Sequence, residues 1–236
     1  MKLSYSKLKA FSKSPNHLLQ YLNRQQETTP AMLKGSALHC MVLEPEEYRR
    51  RYGTAPQVDR RTKEGKAIYN TFLEDNQGKE ILPYNDYEEV LKMAEAVYNN
   101  TLAMELLNST EKELELEKEY RGVTLRGFVD FKGIGFIGDL KTTSDASPKA
   151  FTRDSYNLLY HLQAAVYCEL TGYNDFYIVA VENKAPYNVQ VYMLDLEAIS
   201  EGRKLLNSLI DNFLIWDGQP QGYSTKVEIL ELPKWA

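Results

Sequence analysis

The sequence predicts a mixed α/β fold, a central sheet flanked by helices and preceded by a mainly helical N-terminal part. Three observations predict it. From Glu111 onward the apolar pattern gives the order strand, strand, strand, helix, strand, strand, helix. Upstream of Glu111 the apolar residues recur at helical spacing, punctuated by Ser-Pro and Glu-Pro. The chain has 236 residues, 43% hydrophobic and 26% charged, which suits one domain with a packed core. We expect a single domain over 1–236, with 1–110 mainly helical and 111–236 forming the α/β core and a C-terminal tail.

The elements follow in order. Residues 3–22 read as two short helices, with Ser4 and Ser6 as candidate N-caps, Leu8, Phe11, Leu18, Leu19 and Leu22 at helical spacing, and a break at Ser14-Pro15. His17 has no partner near it in sequence and reads as a surface or capping residue. Residues 25–30 are a polar linker. A helix over 30–43 begins with Pro30 and stops before Glu44-Pro45. Residues 46–52 form a short charged helix, and a basic loop, R-R-T-K-E-G-K at 60–66, leads into a helix ending near Leu73. Residues 85–107 read as one long amphipathic helix.

The alternation E-L-E-L-E-K-E-Y then signals a strand over 111–120. Gly122 turns the chain into a strand over 123–131, and Gly133 and Gly135 turn it again into one over 136–142. Ser147-Pro148 opens a long helix ending at Gly172. Residues 176–181 and 189–194 form a strand pair, 196–216 a final helix, and 227–232 a short strand in the tail.

Charge is unevenly distributed. The net charge is −5, yet residues 1–66 carry a local +7 and the remainder −12. A basic N-terminal third beside an acidic body suggests a polyanion-facing surface on one side. Cys40 and Cys168 are too few for a disulfide framework or a cysteine metal site, so two reduced thiols in a cytoplasmic protein are expected. No apolar run is long enough to span a bilayer, and the N-terminus lacks a secretory h-region.

The chemistry concentrates in R-G-F-V-D-F-K-G-I-G-F-I-G-D-L-K-T-T, residues 126–143. Asp130 lies on its first strand, Asp139 and Lys141 on its second. Residues two apart on a strand share a face, so Asp139 and Lys141 project together and Leu140 opposes them. Carboxylates and an amine on apolar strands are costly unless paired. A divalent metal suits the carboxylates, and the amine can hold a water or a phosphate oxygen. His39 follows Gly35 by one helical turn, and Gln163 and Tyr167 stand one turn apart on a later helix.

The ordered set G-x-x-x-H (35–39), Glu117, R-G-F-V-D (126–130), G-D-L-K-T-T (138–143) and Q-x-x-x-Y (163–167) resembles the PD-(D/E)xK nucleases. Within them it is most similar to the exonuclease VIII (RecE-type) catalytic domain of phages and prophages. G-S-A-L-H-C-M-V-L-E-P-E at 35–46, the basic loop at 60–66 and the terminal L-P-K-W also fit, so the resemblance covers nearly the whole chain. Val129 stands where the family's name has proline.

The resemblance implies a restriction-endonuclease-like core. It implies His39, Asp130, Asp139 and the Leu140 backbone carbonyl as metal ligands, with Lys141 activating water. Gln163 would orient Lys141 or the scissile phosphate, and Tyr167 would support the same helix face. Glu117 matches the acidic position of the first strand, with Glu113, Glu115 and Glu119 as alternatives. One or two Mg²⁺ ions, with Mn²⁺ accepted, are the implied cofactors. The implied activity is 5′→3′ exonucleolytic degradation of one strand of linear duplex DNA to mononucleotides. The remaining 3′ single strand would pass to a RecT-type annealing protein, and the enzyme would be a ring-shaped homo-oligomer in the bacterial cytoplasm. Arg60, Arg61, Lys63 and Lys66 are the candidate DNA-backbone contacts. The competing readings are a Cas4-like or RecB-type nuclease of different polarity, or a DNA-binding module without catalysis.

Overall fold

The computed structural model of the protein describes residues 1–24, 28–108, 110–223, 226, 227 and 229. Each early helix begins where the sequence supplies a cap. Ser4 caps α1 (Tyr5–Phe11), and Ser14 caps α2 (Pro15–Asn23) with Pro at N1. Ser14 Oγ also meets His17 Nδ1 at 2.7 Å, so His17 belongs to the cap. Thr29 caps α3 (Pro30–Leu43), which runs into α4 (Pro45–Arg51) across Glu44. A small parallel pair, β1 (Tyr52–Thr54) and β2 (Glu80–Leu82), brackets α5 (Lys63–Asp75). Three-residue strands carry too little alternation to be read from sequence.

The helix expected over 85–107 is two helices, α6 (Tyr84–Tyr98) and α7 (Thr101–Asn108). The break is chemical: Asn100 Oδ1 accepts from Ala103 N at 2.9 Å and caps a new helix. The five-stranded sheet follows, with β3 (Glu111–Tyr120), β4 (Val123–Lys132) and β5 (Phe136–Thr143). The expected long helix after it is also two, α8 (Pro148–Asn157) and α9 (Tyr160–Thr171). Leu159 takes a left-handed φ of 59° between them, which no α-helix continues through. β6 (Asp175–Glu182), β7 (Val189–Met193) and α10 (Leu196–Ile215) complete the order. The tail strand expected over 227–232 lies, apart from residues 227 and 229, outside the described residues.

The sheet order is β3-β4-β5-β6-β7. Only β5 and β6 pair in parallel, joined by the α8–α9 crossover; the other neighbours are antiparallel. Each face buries one core cluster. Leu8, Leu125, Ile137, Leu162, Phe176 and Leu206 belong to the face under α1, α9 and α10. Leu38, Val90, Ala103, Phe131, Leu140 and Val179 belong to the face under α3, α6 and α7. Among the described residues no helix is long and apolar enough to cross a membrane.

Two features of this fold create the site. The β4–β5 ladder holds only Phe131↔Gly138 and Lys132↔Ile137, after which the strands part into a wedge. The N-terminus enters beside β4: Leu3 N donates to Thr124 O at 2.9 Å, and Arg126 N donates to Leu3 O at 2.8 Å. This tie sets α1 next to the wedge. The second feature is α9, buried over most of its length between the sheet and α10. A Cβ at Gly202 of α10 would stand 2.0 Å from the His161 carbonyl, so glycine is what lets these helices touch. Gly202→Ala should therefore destabilise the protein by about 1–3 kcal/mol. Thermal unfolding should show a Tm lower by roughly 2–4 °C per kcal/mol; an unchanged Tm would contradict this packing.

Candidate active site

The site begins with a break in side-chain alternation. β3 and β4 keep one register, Lys112↔Phe131 and Leu114↔Val129, which sets Glu113 across from Asp130. On one side of this step Leu114, Leu116 and Val129 pack into the cluster beneath α9. On the other, Phe131 packs into the opposite cluster and Lys112 lies over its ring at 5.8 Å. The ribbon changes face at Glu113 and Asp130. Glu113 has a left-handed φ of 49°, uncommon for a non-glycine residue and costly unless its surroundings hold it. The result is a cluster in which one ligand atom each from His39, Glu113 and Asp130 lie within 4.8 Å of one another.

Asp130 is 7% exposed. Its Oδ2 accepts from Leu140 N at 2.7 Å and stands 3.3 Å from His39 Nδ1. The carboxylate thus bonds across the wedge to the next strand. A strand residue turns its N–H and C=O toward the same neighbour, so the Leu140 carbonyl also faces the wedge. Asp139, the residue before, is 2% exposed. Its Oδ1 accepts from Gln163 Nε2 at 2.5 Å. Its Oδ2 is in ion-pair contact with Lys141 Nζ. Lys141 Nζ in turn lies 5.2 Å from the centroid of the Tyr160 ring.

α9 supplies the far wall. Gln163 Nε2 reaches Tyr167 Oη at 3.3 Å as well as Asp139. Gly127, from R-G-F-V-D, lets Tyr167 lie against β4, since a Cβ there would stand 2.9 Å from the ring. His39, Asp130, Asp139, Lys141, Gln163 and Tyr167 all line one cavity of about 490 Å³, closed on the N-terminal side by Lys2, Tyr5 and Lys7. A second cavity of about 260 Å³ lies behind His39, lined by Gly35, Ser36, Arg51 and Glu113 among others. A Cβ at Gly35 would touch nothing within 4 Å, so this side of His39 is open.

Glu117 is not in the cluster. Its carboxylate pairs with Lys2 at 2.6 Å and faces Arg126 at 3.5 Å, and Glu113 is the acid of β3 that reaches His39 and Asp130. Gln163 holds Asp139 rather than Lys141. Arg60, Arg61, Lys63 and Lys66 line neither cavity. Arg60 stacks on Tyr69 at 4.2 Å, and Arg61 is forked onto Asp59 with both contacts at 3.0 Å. Sequence reasoning missed Tyr160, although it precedes Gln163 by three residues and Tyr167 by seven, the spacing of one helix face.

The charges are out of balance. Burial first, then the Asp139 charge, pushes the Asp130 carboxyl up to about 6. Burial first, then Asp130, pushes Glu113 up to about 7. Burial pulls the Lys141 ammonium down, but Asp139 and Asp130 outweigh it and hold the amine above its ordinary value. Three carboxyl groups and one amine share a site withdrawn from water. The donor set, hard oxygens with one imidazole, fits a divalent cation. In calorimetric titration with Mn²⁺, Glu113→Gln should weaken binding by at least about tenfold, while Glu117→Gln leaves it unchanged. The reverse order would overturn the placement of Glu113.

No curated protein matches the sequence. Among solved structures the fold is similar to that of a candidate exonuclease from Eubacterium rectale. Its TM-score is 0.64 at 16% identity, covering 90% of this chain and 80% of that one. A phage-related exonuclease from Haemophilus somnus 129PT is 14% identical over 90% of this chain and 96% of its own, with a TM-score of 0.38. The mixed sheet between helices is a restriction-endonuclease-like core. The sequence profile of the PDDEXK-like domain of unknown function (DUF3799) matches residues 4–228, and the chain belongs to that family.

Proposed function

We propose that this chain is a divalent-cation-dependent nuclease that hydrolyses phosphodiesters at the ends of double-stranded DNA. The observation that carries the reading is the wedge between β4 and β5, where Asp130, Asp139 and Lys141 converge with His39 and Glu113. Membership of a PDDEXK-like family supports it, as does the exonuclease name of the Eubacterium rectale neighbour.

His39, Glu113, Asp130, Asp139 and the Leu140 carbonyl would hold the cation. When bound, a divalent cation neutralises phosphate charge and makes water a stronger acid. Lys141 Nζ stands beside Asp139 and would hold a water or a phosphate oxygen there. The amine keeps its proton while the Asp139 charge supports it. Were a cation to engage both Asp139 and the Asp130 charge that also supports the amine, burial would pull Nζ down and suit it to take a proton from water. Gln163 fixes the Asp139 carboxylate, and Tyr160 backs the Lys141 ammonium.

The finer assignment rests on the RecE-type motif order. It comprises Mg²⁺ as the working ion, 5′→3′ polarity, mononucleotide products and a 3′ single strand handed to a RecT-type annealing protein. A ring-shaped homo-oligomer acting in the bacterial cytoplasm belongs to the same assignment.

A time course on linear duplex DNA labelled at either the 5′ or the 3′ end tests the reading. Label should leave the 5′ end first, only with Mg²⁺ or Mn²⁺ present. Asp139→Asn and Lys141→Ala should each slow release by about 100-fold or more with the fold intact by circular dichroism. Full activity in both variants would reject the site, and early loss of the 3′ label would reject the polarity alone.

A further inference from the structure

We propose that the groove between α1 and α2 binds a single nucleic-acid strand continuing from the scissile phosphate. The proposal rests on the nuclease reading for its direction, but its observations are separate. Residues 1–24 contain Lys2, Lys7, Lys9, Lys13 and Arg24 and no Asp or Glu, in a chain of net charge −5. The groove, about 490 Å³, is lined by Tyr5, Lys9, Lys13, His17, Tyr21 and Arg24 among others. It shares Tyr5, Ser6 and Tyr21 with the cavity of Asp130, Asp139 and Lys141, so the two form one trough. The Leu3 tie to β4 fixes α1 in that position.

The chemistry selects a polyanion with flat apolar faces. Lys13 and Arg24 are exposed, and neither has a carboxylate partner among the described residues. The Arg24 guanidinium lies 4.3 Å over the Tyr21 ring, a platform on which a base can stack. Lys9 Nζ is 3.3 Å from Tyr5 Oη, and after burial it is the charges of Lys13 and Lys141 that lower its affinity for a proton. That repulsion runs between groove and catalytic cavity and is relieved by an anion spanning both. An aromatic floor between cations suits an unpaired strand, because the bases of a duplex are already stacked on one another. The loop at 60–66 offers no such floor at the cavity, since it lines neither this groove nor the site.

The test is fluorescence anisotropy with a labelled oligothymidylate, in EDTA, at several salt concentrations between about 50 and 200 mM. The wild type, Lys13→Ala/Arg24→Ala and Arg60→Ala/Arg61→Ala are compared. Removing two phosphate contacts should flatten the slope of log K against log salt by about 1.4, at ~0.7 per contact on a single strand. The Arg60/Arg61 pair should leave it unchanged. An unchanged slope in Lys13→Ala/Arg24→Ala, or no binding by the wild type, overturns the proposal. Nucleotide release with Mg²⁺ is measured on the same preparations. A wild type that shows the predicted slopes but releases nothing supports the groove and sinks the nuclease reading alone.

Discussion

The Leu140 amide donates to Asp130 Oδ2 at 2.7 Å, and the site depends on that bond. Two antiparallel strands that have begun to pair normally continue, because each backbone donor left unpaired in a core is costly. Here a side-chain carboxylate takes the amide, so β4 and β5 separate without leaving Leu140 N unsatisfied. The Leu140 side chain is fully buried in the opposite core, which fixes its amide in place. Asp130 is thereby brought beside Asp139 and Lys141, and the space beyond is partly occupied by Leu3.

The groups around this bond manage buried charge rather than add stability. Isolated buried charges are expensive, and a buried pair seldom returns all of its desolvation cost. Lys141 answers one oxygen of Asp139, Gln163 the other, and His39 faces Asp130. Among the described residues Glu113 has no comparable partner, and it accepts a left-handed backbone to reach the cluster. A left-handed backbone that brings the Glu113 carboxyl close to Asp130 and His39 suits the cation site proposed above. On the proposed reading the acid cluster and the basic α1–α2 surface divide the work: the acids would hold a cation that neutralises the reacting phosphate, and the basic surface would attract the strand that carries it.

Much of this was legible in the sequence. The E-L-E-L alternation and the glycines at 122, 133 and 135 located β3, β4 and β5 to within a residue. Period-two logic put Asp139 and Lys141 on one face, and helical spacing put Gln163 and Tyr167 on another facing it. That logic could not choose among the acids of β3. Strict alternation gives Glu113, Glu115, Glu117 and Glu119 one common face, and nothing in the pattern records the left-handed turn that separates Glu113 from the rest. The two helix breaks were hidden for a related reason. Asn100 and Leu159 interrupt the backbone without interrupting the apolar spacing. Arg60 to Lys66 attracted notice by charge density and by the family resemblance, whereas the cations of α1 and α2 are sparser in sequence and gather only when the two helices pack.

On the proposed reading, His39, Glu113, Asp130 and Asp139 together hold one cation beside Lys141. Crystals grown with Mn²⁺ and measured at its absorption edge should show an anomalous peak in the β4–β5 wedge, within coordination distance of Asp130 and Asp139 and of His39 or Glu113. A wedge without a peak at saturating Mn²⁺, or a peak coordinated by Glu117 instead, would contradict it.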